Sequence, residues 1–258
     1  MQWNTLFQKE VVETWRTKKW IWFPLVIILL SILDPITNYF LPQILEAVGE
    51  MPEGMKFVLP EYTVAQVVMM TLGQLSSLGV LVIVFMSMGI IANEHKSGVS
   101  EIILVKPIDH HSYVTAKWAS LLLLVWVAWI LGMLVSWYYI YLLYGPLSFI
   151  HIVQTIFFYG LWLSLVVTVV IFYNTFVKSQ GLIAFLSIAT LMILSGLTQV
   201  FQSSLKWSPV HLSDYIKRTI EQGTIPNDLI YTGITTVFII AILLLLSVLL
   251  FKRQQLEK

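Results

Sequence analysis

Asn93-Glu94-His95-Lys96-Ser97-Gly98-Val99-Ser100-Glu101-Ile102-Ile103-Leu104-Val105-Lys106-Pro107-Ile108-Asp109 is a polar island between two long apolar runs. The chain around it has 258 residues, of which 58% are hydrophobic and 11% charged. Soluble domains carry about 25% charged residues, so a chain this apolar is expected to lie in a membrane. The expected fold is an all-α polytopic membrane protein, a single transmembrane domain over 1–258. A formal net charge of +1 leaves no basic excess for neutralising phosphates, and nucleic acid is excluded as an expected partner. There is no cysteine, which removes thiol catalysis, disulfides and thiolate metal sites.

Working outward from the island, the apolar runs define six expected spans: about 20–40, 63–92, 118–144, 149–177, 181–200 and 229–251. The island, 93–117, is the connection between the second and third. Residues 1–19 place Trp3, Leu6, Phe7, Val11 and Trp15 near one face, with Gln8, Lys9, Glu13 and Arg16 on the other. That pattern predicts an amphipathic helix in the membrane interface rather than a frayed tail. The first run follows a polar segment and ends at Asp34-Pro35 without a small-residue cleavage pattern, so it reads as a retained span. Asp34 is expected at the outer interface, or else facing a wet cavity.

Residues 41–62 read as a loop rich in Pro, Gly and Glu. On the second run Gln66, Gln74 and Ser77 recur on one face with Thr63, Met70 and Gly73. Such a stripe either packs against a neighbouring helix or lines a substrate path; packing is the preferred reading, and Gln66, Gln74 and Ser77 are the substrate-path candidates. Aromatics crowd the far end of the third run at Trp137, Tyr138, Tyr139, Tyr141 and Tyr144, as in an interfacial belt. Between the last two spans, 201–228 predicts an amphipathic helical segment. Ser208-Pro209 is its expected start and Gly223 its stop.

Six spans put both termini on one side. That side collects Lys9, Arg16, Lys18, Lys19, Lys96, Lys106, Lys117, Lys178, Lys252, Arg253 and Lys258, against Lys56, Lys206, Lys217 and Arg218 on the other. The positive-inside bias makes the richer side cytoplasmic, and the island with it.

No phosphate-binding GxxxxGK[ST] loop, HExxH or GxSxG pattern occurs, so neither ATP binding by that loop nor those hydrolytic chemistries are expected. Glu94-His95 and His110-His111 form a weak metal set without i, i+4 spacing, and no metal or other cofactor is expected. They leave an intramembrane hydrolase as one alternative; a non-catalytic membrane assembly factor is another. The centres of the apolar runs carry no Asp, Glu, Lys or Arg apart from Asp34, which counts against an ion-coupled carrier.

Asn93-Glu94, Gly98, Glu101, Ile103-Leu104, Lys106-Pro107-Ile108, Tyr113 and Lys117 together resemble the segment after the second helix of ABC-2 type permeases, the membrane subunits of a class of ATP-binding-cassette exporters. The layout of an interfacial helix, six spans and an extracytoplasmic helical segment is similar along the whole chain. Ser100 stands where a leucine is common, and His110-His111 where the family often has an arginine. The resemblance implies that the island is a coupling helix seated in a groove of a separate cytoplasmic ATPase subunit, with Glu94, Gly98, Glu101, Ile102, Ile103, Leu104 and Pro107 as the coupling residues. It further implies an exporter without its own ATPase, working as a homodimer or a heterodimer with a second permease in a bacterial plasma membrane. Physically, Gly98 permits a sharp turn. Val99, Ile102, Ile103 and Val105 offer a small apolar surface, and Pro107 ends the helix. Glu94, Glu101 and Lys96 are expected to form rim ion pairs with that partner.

Overall fold

Apolar runs of this length satisfy their backbone polar groups in lipid only as helices, and the computed structural model is all helical among its described residues, which are 2–48, 62–96 and 109–256. In chain order these are α1 (Gln2–Arg16), α2 (Lys19–Val48), α3 (Val64–Gln74), a π-helical turn (Leu75–Gly79), α4 (Val80–Ser87), α5 (Ala92–Lys96), α6 (His110–Leu143), α7 (Phe149–Asn174), α8 (Gln180–Val200), a 3-10 turn (Pro209–His211), α9 (Leu212–Gln222) and α10 (Asn227–Leu256). Six helical stretches are long and apolar enough to cross a membrane: Lys19–Leu45, Val64–Glu94, His110–Leu143, Phe149–Asn174, Gln180–Val200 and Asn227–Arg253. The protein is a multi-pass membrane protein.

α7 is the axis of the bundle, the most buried of the six, with α6, α10, α8, α4 and α9 packed around it. Lipid tails are as apolar as leucine, so membrane helices meet through small residues and hydrogen bonds. At Gly160 a Cβ would stand 2.5 Å from the Trp126 ring. The same indole donates to Ser164 Oγ at 3.0 Å. Trp129 donates to the Ile156 carbonyl at 2.9 Å and tilts against Tyr159. Tyr159 in turn reaches Leu72 O and Ser76 Oγ, at 3.0 and 2.8 Å, where α3 passes into the π turn. By contrast α2, α8 and α10 show rows of exposed large side chains, among them Leu25, Leu29, Phe185, Met192, Phe238 and Leu245. Those rows suit lipid.

Four boundaries differ from the sequence reading, each for a local reason. α2 does not stop at 40; it runs through Pro24, Pro35 and Pro42 to Val48. Pro35 has no N–H for the Ser31 carbonyl, and the Thr71 hydroxyl lies 3.5 Å from that oxygen, while Tyr144 OH donates to Pro35 O at 2.9 Å. The remainder of the expected loop, 49–61, lies outside the described residues. The third span starts at His110 rather than Trp118, because Asp109 caps it by accepting from Ser112 N at 3.3 Å. The second span is broken at 88–91 before α5 resumes. Ser208 opens the 3-10 turn without capping it; its hydroxyl is 2.7 Å from Thr198 Oγ1 instead. Gly223 ends α9 with φ 71°, the left-handed geometry that suits glycine.

Candidate functional site

The inward face of α1 is set by positions 3, 7, 10 and 14, which are one helical face. Trp3 and Phe7 stack at 5.2 Å, and Trp3 donates to Thr115 Oγ1 of α6. Further along the same face Glu10 and Thr14 are buried, whereas Val12 and Trp15 are exposed. Thr14 accepts from the Trp20 indole at 3.0 Å. Lys18 at φ 57° turns the chain from α1 into α2, and Lys19 Nζ donates to Met86 O at 2.9 Å. The N-terminal helix is thereby fastened to the first and third spans, and the first span to the second.

At that junction lies a buried ion cluster. Lys117 of α6 is 1% exposed, and its ammonium sits 2.8 Å from Glu10 Oε1 and 3.0 Å from Glu94 Oε1. Lys9 approaches the same Glu94 oxygen at 2.5 Å, Glu10 at 3.1 Å and Glu13 at 3.4 Å. The Tyr113 hydroxyl donates to Glu94 Oε2. Tyr113 is stacked on Phe251 of α10, 5.1 Å between rings. Buried charges persist only when paired and hydrogen-bonded, and here Glu10 Oε1 and both Glu94 oxygens have donors. Burial would depress the Lys9 pKa, but its hydrogen bond to Glu94 and the charges of Glu10 and Glu94 outweigh that and raise it.

The break in the second span adjoins the cluster. Asn174, fully buried at the end of α7, accepts from Ile91 N and Ala92 N at 3.3 Å each and donates to Val170 O. Gln180 at the start of α8 donates to Asn93. Beneath them a cavity of about 350 Å³ opens between α1, α4, α5 and α8, lined in part by Glu10, Glu13, Lys19, Met86, Gly89 and Asn93.

Of the residues singled out in the sequence, Glu94, Tyr113 and Lys117 are brought together here. Glu94 is 7% exposed and saturated by Lys9, Lys117 and Tyr113, so the expectation that it forms a rim ion pair with a partner is replaced by a role inside the chain. Gly98, Glu101, Ile102, Ile103, Leu104 and Pro107 lie outside the described residues. The second-span stripe is not part of this cluster. Gln66 closes a capping box with Thr63, and Ser77 returns its hydroxyl to Gly73 O and Gln74 O. Gln66 and Ser77 are exposed and Gln74 half-buried, while Met70 of the same stripe accepts from Asn38 of α2 at 3.4 Å.

Of the weak Glu-His metal set, the His95 side chain lies outside the described residues. His110 lies against the Phe251 ring. The oxygens of Glu10, Glu13 and Glu94 come within 4.8 Å of one another, but the ammonium groups of Lys9 and Lys117 fill that space. Glu10 and Lys9 were missed as site residues. The available signal was a carboxylate on the Trp3-Phe7 face of an amphipathic helix, opposite a lone lysine at the edge of a span.

No protein-family model matches the chain. It is 27% identical over 250 residues to YxlG of Bacillus subtilis (strain 168), described as an uncharacterized transmembrane protein, and the alignment covers 97% of each chain. That similarity runs through all six spans and agrees with a multi-pass membrane protein.

Proposed function

We propose that this chain is the membrane-spanning permease subunit of an ATP-binding-cassette exporter, coupling ATP hydrolysis by a separate cytoplasmic subunit to export. One observation carries the reading: the two ends of segment 97–108 are rooted in a single buried cluster. Glu94 precedes the segment, Tyr113 and Lys117 follow it, and Glu94 bonds both. A partner that shifts this segment therefore acts on α5 and α6 together. Through Lys9 and Glu10 it acts on α1, and through Tyr113 on α10. The likeness of the segment to the coupling region of ABC-2 type permeases supports the same reading, as does the lysine and arginine excess on its side, which makes that side cytoplasmic. Symmetry favours two such permeases, identical or paired, with two ATPase subunits. The membrane is then a plasma membrane, with both termini inside.

The test is ATP hydrolysis in proteoliposomes holding this chain with an ATP-binding-cassette ATPase co-expressed with it. The chain is expected to stimulate hydrolysis, and Gly98→Trp is expected to remove the stimulation while the variant still inserts and purifies like the wild type. Stimulation that survives Gly98→Trp unchanged would contradict the coupling role.

A further inference from the structure

On the face of the bundle opposite the termini, a cavity of about 700 Å³ lies among the 201–206 connection, α9 and the start of α10. We propose that it is a headgroup site for a zwitterionic phospholipid. Its charged lining is balanced: Lys206, Lys217 and Arg218 against Asp214, Glu221 and Asp228. A free anion or a free cation would meet repulsion from half of these groups. A ligand carrying a phosphate and an ammonium a few bonds apart meets attraction from both halves.

A solvated helix face would explain only part of this. Asp214, Lys217, Arg218 and Glu221 follow one another at i, i+3, i+4 and i+7 along α9, as a water-facing stripe should. Lys206 and Asp228, however, are contributed by two other segments and close the stripe into a concavity. The closure is fixed by hydrogen bonds. Tyr215, buried beneath α9, donates its hydroxyl to Lys206 O at 3.0 Å, and Thr232 of α10 donates to the same oxygen at 3.3 Å.

Within α9 the charges are partly spent. Lys217 pairs with Glu221 at 3.8 Å, His211 Nδ1 lies within hydrogen-bond distance of Asp214 at 3.2 Å, and Arg218 lies over the Tyr215 ring. Lys206 and Asp228 have no ion pair among the described residues, so one cation and one anion are left facing the cavity for a ligand.

The surroundings choose a lipid over a soluble zwitterion. Val200, Phe201, Trp207, Ile225 and Tyr231 are all exposed, on the ends of two membrane spans and on the segments between them that also carry the cavity's lining. Exposed aromatic and aliphatic side chains at a span end mark headgroup depth, with acyl chains just below. The volume falls within the range of sites for small ligands.

The experiment is lipid retention by the full chain, purified in detergent, given equal amounts of phosphatidylethanolamine and phosphatidylglycerol and read by native mass spectrometry. The wild type is expected to retain phosphatidylethanolamine over phosphatidylglycerol by about tenfold, equivalent to about 1.4 kcal/mol. Asp214→Asn with Asp228→Asn should erase that preference while phosphatidylglycerol stays bound, and Lys206→Gln with Arg218→Gln should weaken both lipids. All four positions are water-facing or half-exposed, and an unchanged elution profile and melting temperature would establish that the variants are folded. Equal retention of the two lipids by the wild type would overturn the proposal, as would a preference untouched by both variants. Binding of free phosphoethanolamine without retention of the lipid would overturn the lipid assignment.

Discussion

Lys117 is the residue on which the terminus-bearing end of the bundle turns. It is surrounded by Glu10 and Glu94 with almost no solvent contact, and a buried pair that loses one partner leaves an uncompensated charge. Lys117→Met should therefore destabilise the protein by about 3–5 kcal/mol, measured by unfolding in mixed micelles. A cost below about 1 kcal/mol, typical of surface pairs, would mean that the cluster is not buried in solution. The Lys9 pKa is raised on folding, so its contribution is complete below the ordinary lysine value and fades only as pH climbs through the raised one. On the Lys9 side the cluster is accordingly insensitive to pH near neutrality. Little of this was legible in the sequence. Lys9 and Lys117 read as members of a cytoplasmic charge excess and Glu10 as part of a polar leader, because pairing across 85 and 107 residues leaves no local pattern.

At the scale of elements, the apolar runs were legible and their ends were not. Length and composition suffice for a span, while boundaries follow from single hydrogen bonds. Asp109 starts α6 eight residues before Trp118 by accepting from Ser112 N, and Thr71 reaches the Ser31 carbonyl that Pro35 leaves without a backbone donor. The break at 88–91 had no sequence signal beyond Gly89, since its partner, Asn174, lies 83 residues away on another helix. Asn174→Leu should leave the Ile91 and Ala92 amides without their acceptor and cost about 2–4 kcal/mol, read as a lowered melting temperature in detergent. An unaltered melting temperature would mean that water or a rearranged turn replaces the asparagine. The same substitution frees α5 from α7, so it should also loosen the placement of Glu94.

For the whole molecule, the bundle divides into a buried axis, α7, and a lipid-facing periphery, with α1 and the end of α10 gathered onto the root of segment 97–108. In this account the coupling role rests less on any charge that Glu94 offers a partner than on the cluster that holds both ends of the segment. That account is tested most directly by crosslinking. The chain has no cysteine, so one introduced as Ile103→Cys is unique. In inside-out vesicles, with an ATP-binding-cassette ATPase co-expressed and carrying cysteines along its membrane-facing groove, the predicted result is a crosslink from position 103 whose yield changes when ATP is bound. A cysteine at 103 that forms no such crosslink, and that a membrane-impermeant thiol reagent reaches from outside intact cells, would contradict it.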